Sequence, residues 1–224
     1  RVCTITFNRP EKKNAFNKDA WLALRDAIAE AHNSDAVSVV VITGAGKDFS
    51  SGVDLSDLTG EPGEKPPFEF MMDEFLKLDK PLLAAAKGAA IGFGATALFH
   101  CDIVYVGESL KMRLPFVNLG LVPEAGCSYT LPRNIGYQQA AELLFTAEWI
   151  NAEKAVETGI ARRAFSDAEL LPKTLEKAAE IAQWPRNALR ETKRTLMATH
   201  SVAIEQARER EMAGMMRQVG SAEN

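Results

Sequence analysis

The sequence predicts an α/β fold, with a mostly parallel sheet followed by a helical last third. Three observations carry this expectation. Val37 to Thr43 is β-branched at every position but Ser38 and shows no polar alternation, the pattern of a strand buried on both faces. Segments of helical period stand between such runs, as parallel crossover connections require. Beyond Pro132 the strand-like runs stop and helical spacing continues.

The elements follow in order. Val2 to Asn8 is strand-like and ends at Asn8-Arg9-Pro10. Lys18 to His32 places Trp21, Leu22, Leu24, Ile28 and Ala31 at roughly helical spacing. The buried strand from Val37 closes at Gly44-Ala45-Gly46. Glu61 to Pro67, rich in Pro, Gly and charge, is expected to be a mobile loop rather than a domain linker. Phe68 to Leu78 has an apolar stripe and reads as a helix, and Pro81 to Ala86 as a short strand. Gly88 to Gly94 is a glycine-rich turn that opens a small-residue helix from Ala95 to His100, and Asp102 to Val106 is a further strand. Helices are expected over Gly136–Phe145, Ala152–Thr158, Ala168–Trp184, Asn187–His200 and Val202–Met216. The division is therefore a core over 1–135 and a helical region over 136–224. Met197, Met212, Met215 and Met216 fall in that region and suggest packing, with the final helices placed against a neighbouring subunit.

Composition narrows the function. A chain of 224 residues, 46% apolar, can bury a self-supporting core. A net charge of −4 gives no basic excess for nucleic acid or anionic membrane. Cys3, Cys101 and Cys127 form neither a disulfide framework nor a metal-ligand set, which fits a reducing compartment. No apolar run reaches the roughly 18 residues of a membrane span. Arg1 stands inside strand-like sequence, so residues are expected before it, and Ala222-Glu223-Asn224 is not a peroxisomal address. Gly46-Lys47 lacks the earlier glycine and the Ser or Thr of a phosphate loop, and no glycine-flanked serine forms a nucleophile elbow. His32, His100 and His200 are far apart in sequence, so no metal is expected.

Three segments remain: Phe49-Ser50-Ser51-Gly52-Val53-Asp54-Leu55, Lys87-Gly88 through Gly92-Phe93-Gly94, and Leu119-Gly120 through Pro123-Glu124-Ala125-Gly126-Cys127-Ser128. Glycines at strand-to-helix turns permit backbone shapes that leave N–H groups outward, where a helix N-terminus favours negative charge. Two such groups can hold a carbonyl oxygen that becomes an enolate. Each cluster is also what a purely structural turn looks like. Glu124, at the entry of a short helix, is either a proton-transfer group or a carboxylate that caps the helix.

Taken with Asn8-Arg9-Pro10, Lys13-Asn14-Ala15, Cys101-Asp102, Pro115-Phe116 and Leu131-Pro132-Arg133, these segments resemble the crotonase, or enoyl-CoA hydratase/isomerase, superfamily over nearly the whole chain. The resemblance implies a crotonase (ClpP-like) spiral of ββα units with a C-terminal helical trimerisation region. It implies an acyl-CoA thioester held by the backbone N–H groups of Val53 and Phe93, with Ser50, Ser51, Gly52, Asp54, Leu55, Gly92, Gly94 and Phe116 around substrate and CoA. Arg9 and Lys13 are phosphate candidates, though a solvated surface position is the favoured reading for each.

The hydratases resembled carry two glutamates, where this chain has Thr96 and Phe116. Adding water needs both activation of the water and delivery of a proton. The resemblance to peroxisomal-type 3-enoyl-CoA isomerases rests on Pro123-Glu124-Ala125-Gly126-Cys127-Ser128. It implies that Glu124 alone moves a proton from C2 to C4, beside an apolar wall including Phe116 that raises its pKa. Ring or dienoyl-CoA isomerisation, hydration with other residues, and non-catalytic acyl-CoA scaffolding are the alternatives. No cofactor is expected, coenzyme A being part of the substrate. The expected partner is a second copy, as homotrimer or dimer of trimers. The expected location is the cytoplasm of a bacterium, or the peroxisome or mitochondrial matrix of a eukaryote.

Overall fold

The computed structural model describes residues 1–57 and 65–221. Most of the expected Glu61–Pro67 loop, through Glu64, lies outside the described residues, as does Ala222-Glu223-Asn224. Seven strands are described: β1 (Val2–Phe7), β2 (Val39–Gly44), β3 (Leu82–Ala86), β4 (Ala89–Ile91), β5 (Ile103–Gly107), β6 (Lys111–Arg113) and β7 (Arg163–Phe165). The α-helices described are α1 (Lys18–Asn33), α2 (Pro67–Lys77), α3 (Phe93–Thr96), α4 (Cys127–Ile135), α5 (Tyr137–Thr146), α6 (Ala152–Glu157), α7 (Asp167–Ala182), α8 (Arg186–Met197) and α9 (Ser201–Gln218). One five-stranded sheet runs β1-β2-β3-β5-β7, and β4 pairs with β6 in a second small sheet. Every pairing between these strands is parallel.

The β-branched run behaves as its composition requires. In β2, Val40 and Ile42 join the large apolar cluster that holds Trp21, Leu24 and Ile28 of α1 and Met71, Met72 and Phe75 of α2. Val39 and Val41 point the other way, with Leu83, onto Ala178 and Ala182 of α7. Helices thus cover both faces of the central strands, which is why period-two polarity is missing there. α1 starts where the Asn17 side chain accepts from the Ala20 N–H at 3.0 Å. It ends where buried Lys80 donates to the carbonyls of Ala31 and Ser34 at 2.6 and 2.7 Å, satisfying C-terminal acceptors.

Two expectations need correction. The last third is not all-helical: β7 extends the main sheet beside β5, and α7 covers one of its faces. At three residues, β7 is too short to show alternation. Likewise Gly88–Gly94 contains β4, and the helix expected from Ala95 begins at Phe93 and tightens into a 3₁₀ turn over Ala97–His100.

Candidate active site

The first two glycine turns meet. Ser50 donates its N–H to Ala89 and accepts from Ile91 N–H, so one turn pairs with the strand that leads into the other. At Gly52 (φ 85°) a methyl group would come within 2.6 Å of the Ile91 carbonyl and 3.3 Å of the Phe93 nitrogen. At Gly94 it would meet the Ser50 carbonyl at 2.3 Å. Only glycine permits this approach. Among the described residues, the N–H groups of Val53 and Phe93 donate to no protein acceptor. Phe93 opens α3, where the first N–H groups have no partner within the helix.

The other turn residues divide by role. Ser50 is fully buried and its hydroxyl bonds the Asn14 carbonyl and the Gly52 N–H, so it braces the turn and offers no side-chain surface to a substrate. The Arg9 guanidinium is held by Asp54 at 3.1 Å and by the Ala15 carbonyl. Asp54 is held below its ordinary pKa by Ser56 and then Arg9. Leu55 is exposed, Ser51 is half-buried, and Gly92 (φ 55°) faces open space. Lys13 (φ 50°) accepts the Ser51 N–H at its carbonyl. The buried Asn14 side chain, which sequence reasoning left without a role, donates to the carbonyls of Ala45 and Asp48 and stitches these loops together.

A cavity of about 660 Å³ opens beside these turns. Val53 and Glu124 both line it, with Trp21, Phe68, Met212 and Met215 as its apolar wall. Phe116 is not in that wall; it is buried in the core with Phe93. Met212 and Met215 face the cavity and Met216 is exposed, so the methionines are not simply packing within the chain. Thr96 is buried and bonded to its own helix. No acid therefore stands at either position where the hydratases resembled carry theirs.

Three other residues of the cavity wall escaped sequence reasoning: Glu69 of α2, and Arg208 and Glu211 of α9. Arg208 binds Glu69 and also reaches Asp73. Glu211 is buried, and its two oxygens accept from Gly126 N–H and Ser128 N–H at 2.7 Å each. The available signal was periodicity: Glu211 lies on the stripe of Ile204, Ala207 and Gly214 that α9 buries, among acids that otherwise face water.

Glu124 is half-buried, and among the described residues its carboxyl has no hydrogen-bond partner. It does not cap α4. That helix begins at Cys127 without a cap from its own N-terminal residue, and the distant Glu211 accepts there instead. Burial pushes the Glu124 pKa up to about 7, reinforced by the charges of Glu211 and then Glu69. The next two residues, Ala125 (φ 59°) and Gly126 (φ 74°), are both left-handed, which is strained for alanine. His100 also holds this turn. Burial lowers its pKa to about 4, so the ring is neutral, and Nε2–H donates to the Ala125 carbonyl at 2.6 Å. Among the described residues no cluster could hold a metal ion.

The pattern described as enoyl-CoA hydratase/isomerase matches residues 1–223. A probable enoyl-CoA hydratase of Mycobacterium bovis is 36% identical over 208 residues, covering 87% of this chain and 73% of that protein. A 1,2-epoxyphenylacetyl-CoA isomerase of Escherichia coli is 33% identical over 193 residues, covering 82% of this chain and 74% of that protein. The crystal structure of an enoyl-CoA hydratase/isomerase from Pseudoalteromonas atlantica superposes with a TM-score of 0.95 at 33% identity, covering 99% of this chain and 89% of that one. The parallel sheet with its C-terminal helical region is thus shared with solved structures of that kind.

Proposed function

Since the chain belongs to the enoyl-CoA hydratase/isomerase family, we propose that it converts a 3-enoyl-CoA to the 2-enoyl-CoA with Glu124 as the single acid–base group. The observation that carries this reading is the state of the three cavity glutamates. Glu211 is occupied by two N–H groups and Glu69 by Arg208, while Glu124, alone of the three, has no partner among the described residues. Hydration calls for two such groups; moving a double bond calls for one.

In the proposed reaction the thioester oxygen accepts from Val53 N–H and Phe93 N–H. The Glu124 carboxylate takes a proton from C2. The C2–H electrons form the new C2=C3 bond by way of a dienolate, whose oxygen stays on the two N–H groups. Loss of one such donor typically costs about 10²–10³ in rate. The protonated Glu124 then delivers the proton to C4, completing the shift without a cofactor. A pKa of about 7 suits a group that must both take and return a proton near neutrality. Trp21, Phe68, Met212 and Met215 keep water from the intermediate.

A homotrimer or dimer of trimers belongs to the same proposal. It is supported by Leu196, Val202 and Met216, which are 62%, 62% and 72% exposed on α8 and α9. A second reading, isomerisation of a ring-bearing acyl-CoA, is favoured by the aromatic side chains of Trp21 and Phe68, which meet edge to face with ring centres 5.2 Å apart at the cavity wall.

The test offers trans-3-hexenoyl-CoA and crotonyl-CoA to the wild type and to Glu124→Gln. Isomerisation by the wild type that disappears in the variant supports the proposal. Brisk hydration of crotonyl-CoA that survives in the variant overturns it.

A further inference from the structure

A local side chain is the ordinary way to cap a helix: Ser, Thr, Asp or Asn at the N-cap does it with little ordering cost. α4 does otherwise. Its N-cap is Gly126, and the side chain that accepts from its first turn comes from α9, across 83 residues of sequence. That side chain is a buried carboxylate set next to another carboxylate, Glu124, and both arrangements are unfavourable. Burial raises the Glu211 pKa while the Ser128 and Gly126 N–H groups lower it, and holding both N–H groups uses both oxygens.

We propose that Glu211 is a positioning residue for the proton transfer: it pins Gly126 and Ser128, and so fixes where Glu124 presents its carboxyl. This rests on the isomerase reading for its kinetic consequence. The mechanical basis is the strained turn. Ala125 and Gly126 are left-handed in succession, and the neutral His100 holds the Ala125 carbonyl while Glu211 holds the Gly126 and Ser128 N–H groups. Released on one side, Ala125 relaxes toward ordinary backbone angles and swings the Glu124 carboxyl away from C2. The charged groups that line the cavity with Glu124 are Lys18 and Arg25 of α1, Lys65, Glu69 of α2, and Arg208 and Glu211 of α9; Asp73 of α2 shares Arg208 and also binds Lys65. Removing the Glu211 charge therefore also lowers the pH at which Glu124 ionises.

Two variants separate geometry from charge. Glu211→Gln has one acceptor and one donor group, so an NH₂ confronts one of the two N–H groups, and the charge is gone. Glu211→Asp keeps the charge but is one methylene short. Both should lose roughly 10²-fold in kcat, as about 1 Å of misplacement does, with KM and the affinity for a saturated acyl-CoA within about threefold of wild type. The pH limb of kcat should move down in Glu211→Gln and stay in place in Glu211→Asp. Hydrogen exchange should quicken at the Gly126 and Ser128 amides in both. A folded variant that keeps wild-type kcat overturns the inference. So does loss of acyl-CoA binding together with folding, which makes Glu211 a residue of the fold alone. Should the wild type fail to isomerise 3-enoyl-CoA, that failure removes the isomerase reading by itself. The exchange measurement then decides, since unchanged protection at Gly126 and Ser128 overturns the positioning role.

Discussion

Replacing Glu124 by glutamine should make the protein more stable above neutral pH while abolishing its activity. The carboxyl has a pKa of about 7 in the folded chain against 4.5 when free. Below pH 4.5 both states carry the proton, and the group contributes nothing to the pH dependence. Between 4.5 and 7 the unfolded chain gives up its proton and the folded chain keeps it, so stability falls as pH rises. Above 7 the loss is complete. Each pKa unit is worth about 1.4 kcal/mol, so the shift sets an upper limit of roughly 3 kcal/mol. Cavity water screens a half-buried group, which brings the expected figure to about 1–3 kcal/mol. Glutamine has the same shape and is never charged, so Glu124→Gln should recover that amount at pH 8.5 and almost nothing at pH 4.5. For a domain of this size it corresponds to a rise in Tm of about 2–10 °C. Thermal unfolding followed by circular dichroism at the two pH values measures it. Equal Tm differences at both pH values, or a variant less stable at pH 8.5, would refute the reasoning that burial and neighbouring charge hold this acid in strain.

Three further outcomes are expected. The kcat/KM of the wild type should rise with pH through a single ionisation near 7 and then level off, as a pH–rate profile will reveal; a rate already at plateau at pH 5 contradicts an unpartnered Glu124 as base. Gly52→Ala forces a methyl group to within 2.6 Å of the Ile91 carbonyl at a left-handed position and should cost about 10²–10³ in kcat, with stability measured alongside; unaltered kcat would detach the two turns from catalysis. Arg208→Leu leaves Glu69 and Asp73 without their shared partner and should destabilise by about 2–4 kcal/mol at pH 7; denaturant titration checks it, and an unchanged unfolding free energy would contradict it.

The features legible in the sequence were those with local causes. β2 declared itself because both of its faces are buried, and α1 because its apolar spacing acts within a few residues, whereas the Asn17 cap went unread. The two glycine turns were legible because close backbone approach admits no other residue type. Glu124 was legible only in part: its place before a short helix suggested capping as readily as catalysis, and the choice needed the Glu211 contact with Ser128. The strands β4, β6 and β7, three residues each, exist because neighbours supply their hydrogen bonds, so nothing in their own composition marks them. Glu69, Arg208 and Glu211 were hidden for a related reason. In the sequence they look like solvated charge on amphipathic helices, and only the packing of α2 and α9 turns them inward. Phe116 was assigned to the pocket on resemblance, and packing instead places it in the core.

The dependence of the cavity on α9 has a consequence for synthesis. Translation delivers both glycine turns, Glu124 and the whole main sheet before residue 201 is made. Until α9 docks, the Gly126–Ser128 turn has no carboxylate to hold it, and one wall of the cavity, with Met212 and Met215, is missing. A nascent chain can therefore have a nearly complete sheet and no working site. On the proposed reading, catalytic competence waits for the docking of this one helix.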